Sequence, residues 1–429
     1  MVASKREQQA PAGYKHTEIG VIPKDWELVT FDEAFVFLRT ASYSRDKLGS
    51  TGEVKYIHYG DIHTKWSHFV NMSRSSIPTV GREMIANYSQ MKDGDLVIAD
   101  ASEDYEGIGK SVEVSNLSLQ KAIAGLHTFL LRDKDYHFVD GFKGYICSNP
   151  LVKPSLDRYA TGLKVYGISK NNLKLVQIPK PSIVEQSAIV TALRNTEALI
   201  ESLEKLIAKK RAIKQGAMQE LLTGKRRLMG FQGEWKERRL TEIADIDPEN
   251  LSSRTSPEYS FKYISLEDVN NGILQGYSNQ VFRTAPSRAR RKLKQYDILI
   301  STVRPNLKSH LLVRNDVTDT VCSTGFSVVR CKSNLADPAF VYAHLFAGGI
   351  ERQIESMLTG SNYPAINSKE VKALRIPCPE LPEQSAIAVV LSDMDAEIEG
   401  LEQKLSKTRL IELGMMQVLL TGKIRLPSK

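Results

Sequence analysis

The chain has 429 residues, 41% of them hydrophobic and 25% charged, with a net charge of +8. That length exceeds a single core and implies about two to four domains. The composition excludes a disordered polymer, and no run approaches the ~18 apolar residues that a membrane-spanning helix needs. The positive balance suits a nucleic-acid partner without requiring one. Cys147, Cys322, Cys331 and Cys378 lack metal-ligand spacing and read as reduced thiols of a cytoplasmic protein.

Residues 1–13, rich in Ala, Gln, Lys and Pro, read as a disordered N-terminus with no apolar signal core. From Tyr14 to Pro181 the pattern is one of short apolar runs between turn residues. Asp95-Leu96-Val97-Ile98-Ala99 and Leu126-His127-Thr128-Phe129-Leu130-Leu131 read as strands of a globular region. Ser182 and Glu185 then form an S-x-x-E helix start, and no proline follows from Ile183 to Thr223. Leu193, Thr196, Ile200, Leu203, Ile207, Lys210, Lys214, Ala217 and Leu221 keep heptad spacing, polar at Lys210 and Lys214. Leu199, Leu206 and Ile213 widen the stripe, and Gly224 stands where a helix C-cap is expected. This predicts a long helix within 182–228. A second globular region follows over 229–379, with strands at Asp297-Ile298-Leu299-Ile300-Ser301 and Gly325-Phe326-Ser327-Val328-Val329. A second long helix within 380–424 carries Leu391, Met394, Ile398, Leu401, Leu405, Thr408 and Met415 in the same rhythm, with Glu412 as the polar exception, and 425–429 is a tail.

The two halves repeat. Ile178-Pro179-Lys180-Pro181, Glu185-Gln186-Ser187-Ala188-Ile189 and Leu221-Leu222-Thr223-Gly224-Lys225 return as Ile376-Pro377-Cys378-Pro379, Glu383-Gln384-Ser385-Ala386-Ile387 and Leu419-Leu420-Thr421-Gly422-Lys423, each 198 residues later. Upstream the offset drifts: it is 209 for Trp26 and Trp235, and 202 for Asp95 and Asp297. The helices keep their length while the globular regions vary. The first helix runs from acidic (Glu197, Glu201, Glu204) to basic (Lys205, Lys209, Lys210, Arg211, Lys214), and the second from acidic (Asp393, Asp395, Glu397, Glu399, Glu402) to basic (Lys404, Lys407, Arg409). Antiparallel packing sets opposite charges together, with Lys205, Lys209 and Arg211 near Glu399, Asp395 and Asp393, and Glu197 near Lys407. Each exposed pair contributes only about 0–1 kcal/mol, so charge selects orientation while apolar burial stabilises. The expected fold class is α+β: two globular domains joined by two long antiparallel coiled-coil helices with pseudo-two-fold symmetry. A helix of roughly 40 residues is ~60 Å long. Such a pair is either a plain helical hairpin or a ruler between two binding surfaces.

Catalytic signatures are missing. The sequence holds no G-x-G-x-x-G or G-x-x-x-x-G-K-[ST] phosphate loop and no Asn/Asp-Pro-Pro-aromatic motif. Glu53-Val54-Lys55 and Glu370-Val371-Lys372 match ExK without a placed partner acid, and His58, His63 and His68 are spaced unlike zinc ligands. Neither a cofactor nor a metal is expected.

The paired Ile-Pro-x-Pro…Glu-Gln-Ser-Ala-Ile blocks, the two Leu-Leu-Thr-Gly-Lys ends and Gly20-Val21-Ile22-Pro23-Lys24-Asp25-Trp26 resemble the specificity subunit of Type I restriction–modification systems, over nearly the whole chain. The resemblance implies two target-recognition domains, each reading half of a split double-stranded DNA sequence. It also implies methyltransferase (modification) subunits and restriction/translocase subunits as partners, and no membrane. Three sets of residues are candidates for DNA contact. One is the last loop of each region, with Thr161, Gly162, Lys164 and Tyr166 in the first and Ser361, Asn362 and Tyr363 in the second; an ordinary surface turn is the alternative. Another is Arg304, Asn306 and Lys308, whose counterpart is the acidic Asp100–Tyr105 segment. Arginine favours guanine and carboxylates accept from cytosine amino groups. The third is basic: Arg288, Arg290 and Arg291, with Arg45 and Lys65 as a looser analogue, suited to phosphate contact or to plain solvation. A self-sufficient nuclease or methyltransferase, and a coiled-coil adaptor, are the rival readings.

Overall fold

The computed structural model describes residues 10–73, 76–85, 87–315, 317–358 and 364–426. It divides into two compact units, one of residues 1–202 with 405–429 and one of residues 203–404. The division crosses both long helices, Ile183–Leu221 and Leu381–Leu419. Each globular region is therefore completed by the start of the helix that follows it and by the end of the other helix, rather than by its own helix alone.

In the first unit a five-stranded sheet runs in the order Phe35–Leu38, Thr128–Asp133, Leu96–Ala99, Ser111–Ser115, Phe69–Asn71, beside a three-stranded sheet of Lys121–Ala124, Val54–Ile57 and Thr79–Val80. The centre of the larger sheet, Leu96–Ala99, is buried at every position, which is why it reads as a continuous apolar run. Trp26, Phe31, Phe35, Leu96, Ile98 and Phe142 share one core with Ile189 and Leu193 of the first helix and Leu419 and Leu420 of the second. The Thr196 hydroxyl lies 3.5 Å from the Met415 sulfur. The helices are thus antiparallel here, early residues of one against late residues of the other.

The second unit repeats this plan. Ala244–Ile246, Phe326–Cys331, Ile298–Ser301 and Leu311–Leu312 form one sheet, and Ser278–Val281, Ser260–Ile264, Thr320–Ser323 and Ala289–Lys292 another. Its core joins Leu240, Ile298, Ile300 and Phe340 to Met218 and Leu221 of the first helix and Ile387 and Leu391 of the second. Charge supports the same antiparallel sense: Lys210 pairs with Glu397 at 2.6 Å, Arg211 with Glu402 at 2.5 Å, and Lys214 with Asp395. The polar heptad positions Lys210 and Lys214 thereby face acids. The individual pairs differ from those expected, because charges spaced three or four apart satisfy several registers. Glu197 likewise meets His68 of the globular region at 3.1 Å. Leu199, Leu206 and Ile213 are exposed, so they do not widen the buried stripe.

The repeated motifs serve as a duplicated clasp. Gly224 (φ 70) and Gly422 (φ 67) end the helices in the left-handed conformation, and the chain closes back through Arg226 N–H to Glu220 C=O (3.2 Å) and Ile424 N–H to Val418 C=O (3.1 Å). Two residues on from the glycine-lysine pair, Arg227 reaches Glu383 (2.6 Å), and Arg425 reaches Glu185 (2.7 Å) and Asp25 (2.7 Å). Trp26 also donates its indole N–H to Glu185 at 2.9 Å. Glu185 therefore spends its carboxylate on the clasp; only the Ser182 half of the expected capping box forms, with the hydroxyl accepting from Glu185 N–H at 3.3 Å. Gln186 and Gln384 are fully buried and bridge main chain: each amide donates to two carbonyls, of His137 and Pro181 or of Leu335 and Pro379, and accepts from Val139 or Asp337 N–H. The N-terminal expectation lies mostly outside the described residues; Pro11 and Gly13 at its end already accept backbone bonds from Tyr14 and Lys24. Among the described residues, no helix is long and apolar enough to cross a membrane. Cys147, Cys322, Cys331 and Cys378 are free thiols, and burial raises each pKa, that of Cys147 to about 12 and of Cys378 to about 11.

Candidate nucleic-acid interface

In the first unit, the chain leaving the central strand Leu96–Ala99 and the last loop of the globular region are bound to one another. Ala101–Ser102 pairs antiparallel with Tyr166–Gly167, and Ile168 N–H donates to Asp100 C=O at 2.9 Å. In the second unit the same junction recurs: Ile366 N–H donates to Thr302 C=O (2.9 Å), Arg304 N–H to Pro364 C=O (2.8 Å), and Val303 bridges Ala365. In both units the chain leaving the central strand is thus a neighbour of a segment far along the sequence, residues 161–168 in the first and 364–366 in the second.

The last loop of the first unit is closed at its base by Thr161 and Gly167, which exchange backbone bonds of 2.9 and 2.8 Å. Thr161, Gly162 and Lys164 are exposed, and Tyr166 is half-buried against Tyr105, ring centroids 4.0 Å apart. Asp104 is satisfied locally, accepting from Gly107 N–H at 2.7 Å. Asp100 lies 3.1 Å from His127, and burial raises its carboxyl pKa despite that partner. In the second half, Ser361, Asn362 and Tyr363 lie outside the described residues. Arg304 (φ 48) and Lys308 (φ 53) flank the short Pro305–Leu307 turn in the left-handed region, a conformation that costs such residues of order 1 kcal/mol and gathers at functional sites. Asn306 is exposed, and Lys308 pairs with Glu351 at 2.9 Å. Behind this turn the buried His310 accepts from Ser301 N–H at 3.1 Å, and burial lowers its pKa to about 4, so it stays neutral.

Residues 232–408 match the family model described as the Type I restriction modification DNA specificity domain. The chain is 27% identical over 439 residues to the MjaX specificity subunit and 22% identical over 427 residues to the MjaVIII specificity subunit, type I restriction enzyme proteins of Methanocaldococcus jannaschii, spanning 96% and 94% of each pair. Its fold resembles the crystal structure of the S subunit of the type I restriction–modification system from M. genitalium, with a TM-score of 0.55 at 17% identity over 92% of this chain and 96% of that one. Residues 232–408 thus carry the DNA specificity domain of type I restriction–modification systems, and nearly the whole chain is similar to type I specificity subunits.

The basic candidates separate by what they touch. Arg288 is exposed on the loop before strand Ala289–Lys292. Arg290 lies over the Phe282 ring, 5.0 Å from its centroid. Arg291 is largely buried and pairs with Asp247, which also accepts from Val328 N–H at 2.8 Å and the Ser368 hydroxyl at 2.6 Å. Arg45 and Lys65 both bind the fully buried Asp61, at 2.6 and 2.9 Å. Burial pushes the Asp61 carboxyl up, but the two cations outweigh it and leave the pKa lowered. These three cations neutralise interior carboxylates of their own unit. Of the histidines, His58 caps a short helix through Gly60 N–H (3.1 Å), His63 lies 2.8 Å from Ala101 C=O, and His68 meets Glu197.

Three features escaped sequence reasoning. One is a duplicated ion pair, Asp95 with Arg132 (2.7 Å) and Asp297 with Arg330 (2.8 Å), in which each aspartate is almost fully buried. Only the aspartates stood out in the repeat; the arginines, displaced by 198 residues like the motifs, carried the missing signal. The Asp100–His127 contact and the exposure of Leu163 had no local signal, since both depend on how the loop is pinned.

Proposed function

We propose that this specificity subunit binds a bipartite duplex, with one half-site read by a recognition domain over 14–181 and the other by one over 229–379. In this reading the long helices, within 182–228 and 380–424, set the spacer. The chain directs methyltransferase and restriction/translocase subunits, in the cytoplasm, to the sequence it selects. The observation that carries the reading is the junction of two loops found in both units, holding Thr161–Gly167 beside Asp100–Tyr105 in one and Arg304–Lys308 beside residues 364–366 in the other. A shared scaffold with differing side chains suits two readers of different bases. Glu103 and Asp104 in one and Arg304 in the other would favour cytosine and guanine edges respectively. Helix side chains not used for packing, such as Leu206 and Ile213 in one unit and Leu410 and Leu413 in the other, are exposed and suit partner subunits.

The test is sequencing of methylated positions in the host genome with and without the intact gene. A split motif with an undefined middle that disappears on deletion is the expected outcome. A continuous motif, or methylation that persists unchanged, would contradict the reading.

A further inference from the structure

We propose that Leu163 is a wedge that enters a base step of the half-site bound by the first unit, with Tyr105 and Tyr166 as an aromatic shelf beside it. This rests on the reading that the loop junction meets DNA, and it adds the mode of contact. The tip of the loop is apolar where a surface turn is normally polar: Leu163 is 96% exposed and Val165 57% exposed. The chain cannot relieve this by folding the tip inward. Its base is fixed by the two Thr161–Gly167 bonds and the pairing with Ala101–Ser102. Gly162 holds φ +145, and a Cβ there would stand 1.9 Å from Val165 C=O, so the turn requires glycine. An apolar side chain on a pinned protrusion keeps its burial energy for a partner.

Duplex DNA suits that partner better than a protein surface does. The tip alternates Leu163, Lys164 and Val165, so an exposed ammonium sits between the apolar groups. That combination matches insertion between base pairs with a phosphate contact alongside, the device by which apolar wedges unstack and bend a duplex. Tyr105, 50% exposed and packed at a tilt of 39° against Tyr166, offers a flat face to a displaced base. Glu103 and Glu106, exposed on either side of Tyr105, disfavour phosphate there but can accept from a cytosine amino group. Apolar, aromatic and carboxylate groups thus favour bases, and Lys164 the backbone.

The experiment uses the full chain in its native complex. Selection from a random-sequence duplex library supplies the bound sequence, and 2-aminopurine then replaces each adenine of that sequence in turn. One step in a single half-site should brighten on binding. Leu163→Ala should abolish the brightening and weaken binding about tenfold with an unchanged melting temperature, since the side chain is solvated. Leu163→Phe should retain both signals. Lys164→Ala should keep the brightening while lowering the salt slope by about one. A selected sequence with no brightened step, or a Leu163→Ala variant with wild-type affinity, would overturn the wedge alone. A selection that returns no sequence preference would overturn the underlying reading and the wedge with it.

Discussion

Glu412, the polar exception in the second helix's heptads, sits where a carboxylate is costly. Burial raises its pKa, and the neighbouring Glu197 adds repulsion that His68 and Arg409 offset in part. A carboxyl with a raised folded-state pKa stabilises the fold only while protonated, so this contribution is present below the usual carboxylate range and is lost as pH rises through the folded value. Glu412→Gln should therefore raise the melting temperature at pH 7 and leave it nearly unchanged at pH 4, which thermal melts at the two pH values would check. The clasp arginines make a second contrast. Without Arg425, Glu185 still accepts from the Trp26 indole, whereas Trp235 makes no such bond and its buried indole N–H has no partner. Removing one partner of a buried pair costs about 3–5 kcal/mol when the remaining charge is stranded. Arg227→Ala should thus destabilise more than Arg425→Ala in calorimetry; equal losses would mean that Glu383 finds solvent. Arg45 gives a third: Arg45→Ala should lower stability and leave the salt slope of DNA binding unchanged, while Arg288→Ala should flatten that slope by about one without affecting stability.

At the scale of elements, the helices were the most legible part of the chain. Heptad spacing, the missing prolines and the glycine ends marked two helices, and each spans 39 residues. Their antiparallel sense followed from charge polarity, but the register did not, because Lys209, Lys210 and Arg211 are consecutive and facing acids recur every two to three residues. Core geometry chose it, setting Lys210 against Glu397 and Lys214 against Asp395. Strands were legible where both faces are buried, as at Leu96–Ala99 and Ile298–Ser301. If the helices set the spacer, inserting four residues into the first helix should lengthen the accepted gap by on the order of 2 base pairs, from ~1.5 Å per residue against ~3.4 Å per base pair. Methylation mapping of the insertion variant would read this out, and an unchanged gap would refute the ruler.

For the whole molecule, exchanging residues 229–379 for the matching region of a type I specificity subunit should change one half-site and leave the other intact; a change in both would contradict independent reading. The repeat, written in the sequence as motifs at a constant offset, determined that there are two similar halves, each with a globular region and a long helix, and with them the resemblance to type I specificity subunits. Periodicity and spacing are properties of the chain itself, so they needed no coordinates. Tertiary structure alone decided how the pieces are shared out. Each unit takes half of both helices, Glu185 answers an arginine 240 residues away rather than its own helix end, and Arg45, Lys65 and Arg291 pair with Asp61 and Asp247. Those outcomes depend on which carboxylates the folded core removes from water, and a buried charge takes the nearest available cation in space, whatever its distance along the chain.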